Sequence, residues 1–273
     1  MQDARQLTSR LMLRLRTHNL ALVSAGVAFY AFLAFVPTLI VVVAAYGLFA
    51  DVEDVPRQVH NFAGALPQEV QTFIESQVTR IAKADTTGVS ITVIAAIVIA
   101  LWSASGGMAA LVTGISAARD QLEDLTFVKK RLKGLLLTLG AVVLLSVNVF
   151  LITAVPAVLH DAGMNTDGRV LLNVLRWPAL AMVMIVGIGV LYRVAVTREV
   201  RAGRRWLGIV TPGTIVAAIA WLLASGLFSF YTANFARYSR TYGSLASIVV
   251  VLLWLYLGAF SILFGSEVDG VMD

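Results

Sequence analysis

The chain has no cysteine, which excludes disulfides, thiolate zinc sites, iron–sulfur clusters and cysteine nucleophiles. Charge is scarce as well. Only 14% of the 273 residues are Asp, Glu, Lys or Arg, against about 25% in a typical soluble domain. Histidine is limited to His18, His60 and His160, which stand far apart without metal-ligand spacing. Each reads as an interfacial or loop residue. Ionisable side chains are almost missing from the long apolar stretches, which argues against an ordinary ion-coupled pump. No metal or cofactor is expected.

What the chain has in excess is apolar surface: 59% of residues, with a mean hydropathy of +0.84. A soluble domain of this length could not hide so much. That excludes a soluble enzyme, a disordered chain and a nucleic-acid-binding module, and points to an integral membrane protein. The net charge of +5 and pI near 9.7 fit basic cytoplasmic loops that orient a membrane protein better than they fit contact with nucleic acid, so no nucleic acid partner is expected.

Residues 20–50, 86–118, 134–159, 206–236 and 241–266 carry no charge. A bilayer core needs about 20 apolar residues per helix. Residues 177–192 are shorter, but 170–175 are apolar too, and arginines at a span end can snorkel. The runs are continuous rather than alternating, which argues against a β-barrel. The expected fold is all-α: one integral membrane bundle over residues 1–273, with six transmembrane helices near 22–49, 88–112, 134–158, 173–194, 207–235 and 242–266. With the N-terminus in the cytoplasm, 14 of the 21 lysines and arginines fall on the cytoplasmic side and 7 outside, while acidic residues divide evenly. That bias predicts both termini in the cytoplasm. The first apolar run is far longer than the roughly 7–15 residues of a signal-peptide core, so it is expected to remain as an anchor.

Two amphipathic segments flank the spans. Residues 5–20 are basic with Leu7, Leu11 and Leu15 on one face, as in an interfacial helix on anionic lipid. In the long outer loop 51–85, Pro67 is followed by Val70, Phe73, Ile74, Val78 and Ile81 at helical spacing. Proline suits a first helical position, and the apolar stripe is expected on the membrane surface or capping the bundle. The same loop could dock an envelope protein partner.

Helix breakers and hydroxyls concentrate in particular spans. Pro37 falls within the first span, and Leu101-Trp102-Ser103-Ala104-Ser105-Gly106-Gly107 within the second. Pro212-Gly213 opens the fifth, and Asn234 and Tyr242 stand near the turn into the sixth. Asn148 in the third is expected to hydrogen-bond a neighbouring helix. Such features either line a cavity at an interrupted span or pack helices through small residues. The cavity reading groups Tyr30, Pro37, Trp102, Ser103, Ser105, Asn234 and Tyr242 among the first, second, fifth and sixth helices. Glu267 lies roughly 37 Å along a helix from Tyr242, which puts it at the cytoplasmic boundary. It is either a helix-end carboxylate in water or a latch paired with Arg193, Arg204 or Arg205 from the loop between the fourth and fifth spans.

These residues resemble the YihY/BrkB family of bacterial inner-membrane proteins. The resemblance is carried by Ala25-Gly26-Val27-Ala28-Phe29-Tyr30, Phe35-Val36-Pro37, the 101–107 stretch and Leu191-Tyr192-Arg193. It continues from Pro212-Gly213 through Tyr231, Asn234-Phe235, Tyr238, Thr241-Tyr242-Gly243-Ser244-Leu245 and Leu253-Trp254-Leu255-Tyr256 to Gly265-Ser266-Glu267. Two departures are visible: no Pro-Asn pair follows Tyr192-Arg193, and Val268-Asp269 stands where the family often has Asn after Glu267. The resemblance implies six inner-membrane helices and brings no catalytic residues. The family has been labelled a virulence or serum-resistance factor, linked to envelope lipid export, and once labelled a ribonuclease. Three functions compete: a transporter or lipid-handling protein with membrane lipids as partners, a scaffold subunit of an envelope complex, and, disfavoured, a membrane-bound enzyme. Asp120, Glu123 and Asp124 are the densest cytoplasmic acids, and beside the basic run 129–133 they read as a solvated loop. Assembly as a homo-oligomer is left open.

Overall fold

The computed structural model describes residues 2–46, 68–82, 91–120, 126–161, 166–196, 208–234 and 244–272. All regular structure among them is helical: α1 Gln2–Thr17, α2 Leu20–Tyr46, α3 Gln68–Ala82, α4 Ile91–Ala117, α5 Phe127–Asp161, α6 Thr166–Ala195, α7 Pro212–Asn234 and α8 Ser244–Met272. Each of the six apolar stretches in the sequence falls on one of the helices α2, α4, α5, α6, α7 and α8. By length and composition, Ile97–Ala117, Pro212–Tyr231 and Ile248–Met272 can each cross a membrane among the described residues. A fourth can do so if Ser9–Thr17 and Leu20–Phe35, bent by 53° at their junction, form one broken span.

That bend has a local cause. Asn19 adopts φ 49°, a left-handed conformation that asparagine tolerates better than most residues. Its N–H closes on the Arg16 carbonyl, while the N–H groups of Leu22 and Val23 return to its own carbonyl. One residue therefore ends α1 and starts α2, and α1 swings across the end of the bundle.

The bundle pairs α2 with α4 and α7 with α8, α8 also packs on α2, and α5 lies against α4. Leu20, Val27, Leu111, Ile115, Tyr192 and Leu263 form much of the buried core. Glycines allow the tight crossings. A Cβ at Gly114 would meet Leu263 and Val23 at 2.7 and 2.9 Å, and one at Gly134 would meet the Ser105 carbonyl at 2.4 Å. Outside the core, Ile94, Val98, Leu132, Leu136, Leu222 and Leu227 are exposed, the inverse of a water-soluble surface.

Helix α3 decides between the two expectations for the outer loop. Its Val70, Phe73, Ile74 and Val78 are buried, and it packs on α2, α7 and α8. The Phe73 ring lies 5.7 Å from Phe35 and 6.4 Å from Phe32. The apolar stripe therefore caps the bundle instead of lying on a membrane surface.

Candidate functional site

The charged end of the bundle is where α1, the C-terminus of α4, the C-terminus of α6, the N-terminus of α7 and the C-terminus of α8 meet. Asp120 follows α4 with φ 56°, which ends the helix and brings its carboxylate beside α1. Arg14 of α1 reaches inward from there. Its Nε donates to Glu267 Oε2 at 3.2 Å, and its Nη2 donates to the Ala118 carbonyl at 2.8 Å and to Asp120 Oδ2 at 2.9 Å. His18, at the α1–α2 corner, places Nδ1 2.6 Å from Glu267 Oε1 and Nε2 3.7 Å from Asp120 Oδ1. In the tautomer that carries a proton on Nδ1, the ring N–H donates to the Glu267 carboxylate. The Glu267 side chain is 0% exposed. A buried carboxylate needs its charge matched, and here the Arg14 guanidinium does so while the His18 ring supplies a further hydrogen bond.

A second buried pair lies one half-turn further along α8. Arg119 Nη2 donates to Asp269 Oδ2 at 2.9 Å, with both side chains at least 95% buried. The same oxygen accepts the Thr211 hydroxyl at 2.6 Å, and Asp269 Oδ1 accepts the Gly213 N–H at 2.6 Å. Asp269 therefore sits on the N-terminus of α7, where free N–H groups and the helix dipole favour an anion. The α7 terminus caps itself as well: the Thr211 hydroxyl accepts the Thr214 N–H, and the Thr214 hydroxyl accepts the Thr211 N–H. Pro212 occupies the first helical position, where its missing N–H costs nothing.

Two glycines permit this docking. A Cβ at Gly213 would come within 2.2 Å of the Gly265 carbonyl oxygen, and one at Gly265 within 2.3 Å of the Gly213 carbonyl oxygen and 2.8 Å of the Tyr192 hydroxyl. Tyr192 is buried and donates to the Ile262 carbonyl. Ser116 Oγ donates to the Ala195 carbonyl at 3.1 Å, which fastens α6 to α4. A cleft of about 310 Å³ opens beside this network, lined by Arg10, Leu13, Arg14, Gly270 and Val271.

A separate basic group lies on the flank. Arg131 of α5 runs along α4, its guanidinium carbon 4.1 Å from the centroid of the Trp102 ring. Its Nη2 donates to the Trp102 carbonyl at 2.7 Å, and the buried Ser105 hydroxyl donates to the same oxygen at 2.8 Å. Tyr30 of α2 packs against Gly106 and Gly107, where added Cβ atoms would meet it at 3.1 and 3.2 Å.

The site residues expected from sequence divide accordingly. Tyr30, Trp102 and Ser105 lie around the same stretch of α4, with Arg131 of α5 as a further neighbour. Ser103 is half-buried on α4. The side chains of Pro37 and Asn234, and the whole of Tyr242, lie outside the described residues, as do Asn148's side chain, Arg204, Arg205, Glu123 and Asp124. Glu267 does make buried ion pairs, but with Arg14 and His18; Arg193 is exposed on α6. The count along α8 concerned position on one helix and carried no information about which helix stands opposite. His18 is thus a partner of a buried carboxylate, and Asp120, exposed as expected, joins the same network through Arg14. Asp269, visible in the sequence as a departure after Glu267, joins Arg119 and Thr211 in a cluster that the sequence does not reveal. Their one sequence signal is a second carboxylate two residues after Glu267 in an otherwise apolar helix. Arg131, counted among the cytoplasmic loop charges, lies instead along α4.

Residues 11–273 match the family model described as "Virulence factor BrkB". The ribonuclease-like protein YfkH of Bacillus subtilis is 34% identical over 184 residues, which is 64% of each chain. A UPF0761 membrane protein of Xanthomonas campestris is 33% identical over 109 residues, 40% of this chain and 24% of that one. A UPF0761 membrane protein of Alteromonas mediterranea is 35% identical over 83 residues, 30% of this chain and 26% of that one. The match thus spans just under two thirds of the Bacillus relative and about a quarter of the others. No solved structure matches.

Proposed function

Because the chain belongs to the virulence factor BrkB family of membrane proteins, its charged end and its apolar flanks are to be read against a bilayer, and we propose that it moves or holds a lipid or related amphiphile of the bacterial envelope. In this reading α2, α4, α5, α6, α7 and α8 cross the inner membrane, and both termini face the cytoplasm.

The observation that carries the proposal is the sealing of one end of the bundle. Two buried carboxylates, Glu267 and Asp269, hold α1, α4 and the N-terminus of α7 onto α8. A water-filled path through that end would have to break those ion pairs. The flanks, in contrast, expose apolar and aromatic side chains, which suits a substrate that arrives from within the bilayer. Glu267, Arg14 and His18 then act as a latch at the inner mouth.

The test is reconstitution into liposomes that carry a fluorescent phospholipid, with transbilayer exchange followed by chemical quenching. The protein should accelerate exchange, and Glu267→Gln should alter that rate. No acceleration at any protein density would favour a scaffold. The scaffold reading has its own support: α3, buried along one side, exposes Thr72, Ser76 and Arg80 at helical spacing on the other, a polar stripe that a partner could contact.

A further inference from the structure

Arg131 differs from the other arginines described inside the fold. Arg14 and Arg119 each pair with carboxylates. Among the described residues no carboxylate pairs with Arg131, and its buried Nε has no hydrogen-bond partner. Of the five N–H donors of a guanidinium, one is used, on the Trp102 carbonyl. The group is also far from the charged end: Trp102 precedes the end of α4 at Ala117 by about 22 Å of helix. A guanidinium held against apolar helices with a buried, unpaired N–H carries a desolvation cost that an anion would offset.

The surroundings are open on one side. Trp102 is 60% exposed and Tyr30 39%, so the aromatic faces that flank the guanidinium look outward. Gly106 makes the approach possible, since a Cβ there would stand 2.8 Å from Arg131 Nη1. Above and below, Val98 on α4 and Leu132 and Leu136 on α5 are exposed. They set exposed apolar side chains on the same two helices that carry Trp102 and Arg131. A free anion has no use for such side chains; an acyl chain does.

We propose that the surface where Arg131 of α5 meets Trp102 of α4 and Tyr30 of α2 binds the phosphodiester of an anionic phospholipid, with Arg131 as its donor, Trp102 as the platform that holds the guanidinium, and Tyr30 on one side. The assignment rests on the lipid-handling reading above and deepens it. Guanidinium donors match phosphate oxygens in pairs, and the cation–π contact fixes the plane of the group before the lipid arrives.

The experiment uses the full chain purified in detergent and native mass spectrometry with phosphatidylglycerol, phosphatidylcholine and palmitate. Phosphatidylglycerol should be retained best. Arg131→Gln should weaken its binding by about tenfold or more, since hydrogen bonds to charged groups are among the strong ones. Arg131→Lys should weaken it less. Lys129→Gln, on the exposed neighbour, should leave it unchanged. As a readout independent of any change at Arg131, brominated phosphatidylglycerol should quench tryptophan emission, and Trp102→Phe should remove a large part of that quenching. Equal binding of phosphatidylglycerol by wild type and Arg131→Gln, equal loss in Lys129→Gln, tighter binding of palmitate, or quenching unaffected by Trp102→Phe would each overturn the site while leaving lipid handling intact. If the wild-type chain retains no lipid of any class, both the site and the lipid-handling reading fall.

Discussion

His18 and Glu267 stand 249 positions apart in the sequence, yet the imidazole Nδ1 and the carboxylate oxygen meet at 2.6 Å. That contact joins the first helical corner to the last helix. Arg14 doubles it from the preceding turn, so the two ends of the chain are tied at one carboxylate.

Removing that carboxylate should therefore cost more than an ordinary surface change. Glu267→Ala leaves Arg14 and His18 facing a buried gap, and breaking a buried pair costs about 3–5 kcal/mol. Thermal unfolding in detergent should show a clear loss for Glu267→Ala and a smaller one for Glu267→Gln, which keeps an acceptor. Exchanging the charges, Arg14→Glu with Glu267→Arg, should be less damaging than the sum of the two single changes. Strict additivity would mean that the contact carries no coupling.

Glycines with and without neighbours should behave oppositely. At Gly213 a methyl would stand 2.2 Å from the Gly265 carbonyl oxygen. Gly213→Ala must push α7 from α8 and disturb Asp269, at a cost of about 1–3 kcal/mol. At Gly26 and Gly140 nothing lies within 4 Å of a Cβ, and alanine there should be neutral or gain about 0.5–1 kcal/mol from helix propensity. A melting temperature for Gly213→Ala at or above wild type would contradict the close crossing.

The cap helix makes a third case. Phe73 is buried on Phe32 and Phe35, and Phe→Ala in a packed core costs about 3–5 kcal/mol. Phe73→Ala should free α3, which limited proteolysis would register as faster cleavage near 68–82. Arg80→Gln, on the exposed side, should leave cleavage by a protease that does not cut at arginine as it is.

Orientation can be read directly with reporter fusions. Fusions after residue 85 and after residue 240 should report the outer side of the membrane. A cytoplasmic signal from either would contradict six spans with both termini inside.

The name of the Bacillus relative invites a nuclease assay. The purified protein is expected not to cleave RNA. Cleavage that copurifies with the chain and disappears on changing Glu123 and Asp124 would reverse that expectation.

Several features were legible before any coordinates because their physics is local. A run of apolar residues such as 206–236 declares a buried or bilayer helix from transfer energy alone, and α7 falls there. The periodicity of Val70, Phe73, Ile74 and Val78 declares an amphipathic helix, and α3 buries those residues. The run of small residues around Gly106-Gly107 signals a close approach. Its occupants, Tyr30 and Arg131, were not legible, because nothing in the spacing says which helix comes near.

The sequence by itself determined that the chain is a helical membrane protein and where its apolar helices lie. Those are properties of single segments, set by composition and by a rise of about 1.5 Å per residue. Only the tertiary structure decided that Glu267 meets Arg14 and His18, that Asp269 caps α7, that α3 caps the bundle, and that Arg131 turns along α4 onto Trp102. Depth along a helix is a one-dimensional quantity. Which side chains meet depends on the rotation of each helix about its axis and on its neighbours, and those follow from how all the helices pack at once.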